Sequence, residues 1–158
     1  MKKWVPTDPE DVWAILADSR SYAFWVVGST DTERIEGDWP HPGSTFRHIQ
    51  GHGPIKLSDT TTVVECEPPH RLLLEIRIRP FLTGPVELTL EPDGEGTCIT
   101  IDERAEGWVG GVIPHFVTSP LIAIRNAEAL RRLASMAWAR AAALGRTPDD
   151  RSPASRSS

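Results

Sequence analysis

The chain has 158 residues, enough for one domain around one sizeable core. With 39% apolar residues, 25% charged residues and a net charge of −5, it reads as globular. The acidic balance argues against nucleic acid, which needs a concentrated basic face.

The opening "MKKWV" suits a short strand, and no apolar run follows its lysines, so no signal peptide is expected. "DPEDVWAIL" then reads as a helix. Asp8 is the expected N-cap, Pro9 takes the first helical position, and Glu10 and Asp11 suit the positive end of the dipole. Val12, Ile15 and Leu16 recur at helical spacing and give the buried stripe, with Trp13 packing on its flank. "DSRSY" restarts a second short helix that runs to about Trp25.

From Thr30 the pattern turns to strands. "TDTERIEG", "GSTFRHIQ", "IKLSDTTTVVECE", "RLLLEIRIR", "PVELTLE" and "TCITIDERAE" alternate or are rich in β-branched residues. The turn-forming clusters "DWPHPG", "GHGP", "PPH", "PFLTG" and "PDGEG" separate them. Connections this short require antiparallel neighbours, and Asp93-Gly94 suits a tight hairpin. Cys66 and Cys98 stand in these strands without metal-ligand or redox spacing, so both are expected as reduced thiols of a cytoplasmic protein.

Residues 107–124 carry no formal charge, but Gly107, Gly110, Gly111, Pro114 and Pro120 break the stretch too often for a membrane span. A helix of about 36 Å is expected from Ser119-Pro120 to Ala143. Ala123, Ala127, Leu130, Ala134, Ala137 and Ala141 are expected on its inner face, with Arg125, Glu128, Arg131 and Arg132 largely on another. From Gly145 onward the tail is rich in Ser, Pro, Arg and Asp and is expected to be disordered, which leaves a domain over residues 1–144. The fold class is therefore α+β: a curved antiparallel sheet of six to seven strands, a long helix across its concave face, and two short helices closing one end.

At this point "VPTDPEDVWAILADSRSYAFW", "PGSTFRHIQGHGP", "VVECEPPHRLLLE", "VELTLEPDGEGTCITI" and "RNAEALRRLASMA" are together similar to the polyketide cyclase/dehydrase and lipid-transport family. That family belongs to the START-like, SRPBCC, helix-grip superfamily. The resemblance spans about residues 4 to 143 and implies a hydrophobic cavity between the sheet and the last helix. It carries no family-wide catalytic motif, and only "MKKWV" precedes the first helix, where the family has a fuller strand.

Alternation suggests which polar groups face inward. Glu103 continues the face of Ile99 and Ile101, Asp59 and Thr61 share the face of Leu57 and Val63, and His48 shares the face of Phe46. An inward Glu103 suits a general acid or base, or else an ion pair with Arg77 or Arg104. Asp59 and His48 are the accompanying catalytic candidates, each equally readable as a strand-face residue. His48 and His52 would lie about 13 Å apart along a strand, too far for one zinc. No metal and no other cofactor is expected, and no serine or cysteine has a nucleophile's surroundings.

The candidate ligand contacts are Trp25, Phe46, Thr61, Val63, Ile101, Trp108, Phe116, Asn126 and Leu130, while the Tyr22 hydroxyl is assignable to solvent or ligand. Trp108, Val109, Ile113 and Phe116 read as a lid hinged at Gly110 and Gly111, or as a buried connection. Three functions follow. The first is binding of a small hydrophobic lipid, polyketide or aromatic metabolite, in a cavity of about 300–1,000 Å³. The others are cofactor-free cyclisation, aromatisation or dehydration by cavity carboxylates, and a non-catalytic interaction module.

Overall fold

The computed structural model describes the backbone of residues 1–27, 29–52, 55–78, 82–104 and 115–146, and the side chains of residues 1–27, 35–47, 60–77, 83–104 and 123–146. In chain order come β1 (Lys2–Val5), α1 (Pro9–Leu16), a 3-10 turn (Ser19–Ser21), α2 (Tyr22–Trp25), β2 (Ser29–Glu36), β3 (Thr45–His52), β4 (Ile55–Glu67), β5 (Arg71–Ile78), β6 (Leu82–Asp93), β7 (Gly96–Glu103) and α3 (His115–Ala143). The seven strands form one antiparallel sheet in the order β1-β7-β6-β5-β4-β3-β2. This is the helix-grip arrangement.

Short hairpins dictate the order β2 to β7, since each strand pairs with the next in sequence. Register shifts between Val63 and Glu65 in β4, and at two places in β2, insert bulges that bend the strands. β6 begins earlier than the turn-like "PFLTG" suggests. Leu82, Thr83 and Gly84 pair with Ile78, Arg77 and Ile76, which satisfies backbone groups that a loop would leave to water.

The N-terminal strand is short but fully used. Lys2 to Val5 pair with Thr100 to Thr97 on β7. Trp4 lies over Gly96 and donates its indole N–H to the Asp93 carbonyl at 3.1 Å. A Cβ on Gly96 would run into the Val5 carbonyl oxygen and the Trp4 ring, so glycine is required there by close approach of backbone.

The helices close the other side. Val12 and Leu16 of α1 are fully buried, Ile15 and Trp13 pack against the core, and Asp8 sits at the N-cap in extended conformation before Pro9. Asp11 also turns inward and is fully buried. Arg146 donates to its Oδ1 at 2.6 Å, which ties α1 to the chain just beyond α3. The tail expected to be disordered begins at Gly145, yet Gly145 and Arg146 are placed, Arg146 by its bond to Asp11, and residues 147–158 lie outside the described residues.

On α3 the buried stripe is Asn126, Ala129, Leu130, Leu133, Ala134, Ala137 and Ala141. Ala123 and Ala127, expected on the inner face, are exposed. Large apolar side chains set the rotation of a helix, and Leu130 with Leu133 outweigh a pattern drawn through alanines.

Gly96→Ala is expected to destabilise the protein by about 1–3 kcal/mol through overpacking of the β1–β7 edge. Urea denaturation checks this, with Gly94→Ala, whose added Cβ would meet no atom, as the comparison for an effect of backbone conformation alone.

Candidate functional site

Strand alternation brings two rows of side chains onto the helix-facing side of the sheet. The register aligns Phe46 of β3 with Thr61 of β4 and Ile76 of β5, and separately aligns Val63, Leu74, Val86 and Glu103 across β4 to β7. Phe46, Thr61, Val63, Leu74, Val86 and Ile101 are all buried, whereas Arg47, next to Phe46, is exposed.

The short helices add aromatic rings to the end of the sheet near β3. Tyr22 packs on Trp25 and on Phe46 with ring centroids 4.7 Å apart in each case, and meets the edge of Trp39 at 5.2 Å. Such tilted and edge-on contacts suit the ring quadrupoles. The indole N–H groups are satisfied, Trp25 by the Ser21 hydroxyl at 3.3 Å and Trp39 by the Leu16 carbonyl at 3.1 Å. The Tyr22 hydroxyl is different: it is buried and has no hydrogen-bond partner among the described residues. Burial pushes its phenol well above the ordinary tyrosine range, so it remains a protonated donor.

Between this cluster, the sheet and α3 lies a cavity of about 50 Å³. Trp25, Phe46, Leu74, Ile76, Val86, Leu88, Ile101, Ala129 and the ring of Tyr22 give it apolar walls, and Thr61, Glu103, Arg125 and Asn126 bring polar groups to it. The hollow is much smaller than the volume expected from sequence. The ring cluster and the inward aliphatic side chains of β5 and β6 occupy most of the gap.

Glu103 is nearly buried, and Arg125 Nη2 donates to both of its carboxylate oxygens. This partner differs from the two expected. Arg77 pairs with Glu75 and Arg104 with Asp102, each two residues away on the solvent side of its own strand. Side chains two apart share a strand face, so those pairs form locally, while Glu103 faces the helix and takes its partner there.

Of the nine ligand-contact candidates, Trp25, Phe46, Thr61, Ile101 and Asn126 line the cavity. Val63 and Leu130 are buried in the surrounding core rather than in the lining. Among the catalytic candidates Glu103 alone is placed in the lining. His48 and Asp59 stand opposite each other on β3 and β4, but their side chains lie outside the described residues. So do Trp108, the other residues of the expected lid, and the side chain of Phe116.

Sequence reasoning missed Val26, Val27, Leu74, Ile76, Val86, Leu88, Ala129 and Arg125. Leu74, Ile76, Val86 and Leu88 were legible as alternation in "LLLEI" and "VELTL"; Arg125 depended on the helix rotation. Among the described residues no group of three or more His, Cys, Asp or Glu is placed to hold a metal, and no helix is long and apolar enough to cross a membrane.

The chain belongs to the polyketide cyclase/dehydrase and lipid-transport family, whose model matches residues 2–137. Solved structures share the fold at low identity. A Rhodobacter sphaeroides protein is 23% identical with a TM-score of 0.66, covering 88% of this chain and 91% of that one. Ara h 8.0201 is 11% identical with a TM-score of 0.70, covering 88% and 95%. The di-domain ARO/CYC StfQ of the steffimycin biosynthetic pathway is 13% identical with a TM-score of 0.72, covering 90% of this chain and 50% of that one. No curated protein shows a significant match to the chain.

Removing an unsatisfied buried hydroxyl relieves a desolvation cost. Tyr22→Phe is therefore expected to leave the protein as stable or to stabilise it by about 1 kcal/mol, read from urea midpoints. A loss of stability would mean that the hydroxyl has a partner.

Proposed function

We propose that the protein binds a small, predominantly apolar molecule in the cavity between the sheet and α3. The observation that carries this reading is the composition of the cavity: apolar walls from four strands and two helices, the rings of Tyr22, Trp25 and Phe46 among them, with a few polar groups reaching it. That is the make-up of a small-molecule site. Membership of a family described by polyketide cyclases, dehydrases and lipid transport supports the same ligand chemistry.

At about 50 Å³ the cavity is tighter than the roughly 150 Å³ that holds a benzene ring. Uptake of a guest therefore requires its walls to move apart, and the side chains that fill the gap are the ones displaced. Binding is favoured over proton-transfer catalysis by the state of Glu103. Both of its oxygens are engaged by Arg125, so acting as an acid or base would first require breaking that pair.

The neutral dye N-phenyl-1-naphthylamine tests this reading. It is expected to bind saturably at one site with enhanced fluorescence. Ala129→Leu, which adds bulk to the cavity wall, is expected to weaken the dye at least tenfold, whereas Ala142→Leu on the exposed side of α3 leaves it unchanged. Equal binding by both variants would place the dye elsewhere and overturn the proposal.

A further inference from the structure

Within an apolar cavity the few polar groups decide what is admitted, because each must be matched by the guest or stay desolvated. The charges here already engage each other. Arg125 is the one basic residue among the described lining residues, and its guanidinium is held on Glu103, itself nearly buried, through Nη2 alone. The pair therefore offers a guest further N–H donors on Nε and Nη1 but no net positive charge.

The remaining polar groups are uncharged. Thr61 and Asn126 are buried, and their side chains make no hydrogen bond to the described residues. Thr61 and Glu103 stand on β4 and β7, three strands apart across the sheet and two residues out of register. Leu74, Ile76 and Val86 lie on the two strands between them.

We infer that the cavity selects an uncharged guest whose apolar body carries hydrogen-bonding oxygen, such as a ketone, quinone, lactone or phenol, and that the Glu103–Arg125 pair excludes carboxylates of the same size. This rests on the proposed binding function. A carboxylate entering the site would leave water to face a guanidinium already neutralised, with a second carboxylate beside it. A carbonyl oxygen meets free donors at little cost. The ion pair sets specificity from the helix side.

Three probes built on one bicyclic frame test the inference by competition with N-phenyl-1-naphthylamine at pH 7: naphthalene, 1-tetralone and 2-naphthoate. In the native protein 1-tetralone is expected to bind at least tenfold more tightly than 2-naphthoate. 1-Tetralone is also expected to bind more tightly than naphthalene, which offers the donors of Arg125 no oxygen. Glu103→Gln frees the charge of Arg125 and is expected to strengthen 2-naphthoate at least fivefold. If the dye binds but 2-naphthoate matches 1-tetralone in the native protein, the inference fails and the cavity reading stands. If neither the dye nor any probe binds, both fail. The native ranking leaves the ion pair intact, so it decides the matter even if Glu103→Gln does not fold.

Discussion

How closely α3 can approach the sheet is the constraint on which the rest of the molecule depends. Toward its C-terminal end the inner face is Ala134, Ala137 and Ala141, small enough for the helix to settle directly against α1 and β1. Toward its N-terminal end the aromatic rings brought by α2 stand beside the inner face of the sheet, with Asn126 and Ala129 across the cavity from them. Small side chains at one end and large rings at the other make the space a wedge, and the cavity occupies its wide end. The Asp11–Arg146 contact and the β1–β7 pairing hold the narrow end closed.

The wide end carries polar groups that weigh against stability. A buried phenol without a partner lowers stability, and so does a carboxylate taken out of water to meet a guanidinium, since a buried pair rarely outperforms well-packed apolar residues. The carboxylate lines the cavity, while the indoles of Trp25 and Trp39 are satisfied by protein groups. Unsatisfied buried polar atoms occur at both ends of the wedge, the Tyr22 hydroxyl at the wide end and Thr7 Oγ1, Asp11 Oδ2 and Arg146 Nε at the narrow end, so the charged pair in the lining is what sets the wide end apart.

Much of this was legible in the sequence, for identifiable reasons. Strands and turns followed from alternation and from turn residues such as Asp93-Gly94, because those signals act over a few neighbouring positions. The inward faces of Phe46, Thr61, Ile101 and Glu103 followed from the same period of two. What failed needed information from outside the segment. The rotation of α3 depended on how Leu130 and Leu133 meet the core, so Ala123 and Ala127 were misplaced and Arg125 was overlooked. The partner of Glu103 depended on the approach of a helix 22 residues away. Cavity volume is a small difference between the space enclosed and the side chains filling it, and no local pattern encodes it.

The most direct test of the central claim is a crystal of the protein pressurised with xenon, an apolar guest that occupies dry cavities without needing any polar contact. The account predicts a xenon site among Trp25, Phe46, Ile76 and Val86, with those side chains displaced outward. An empty cavity with unmoved walls would contradict it, and the wide end of the wedge would then be ordinary core.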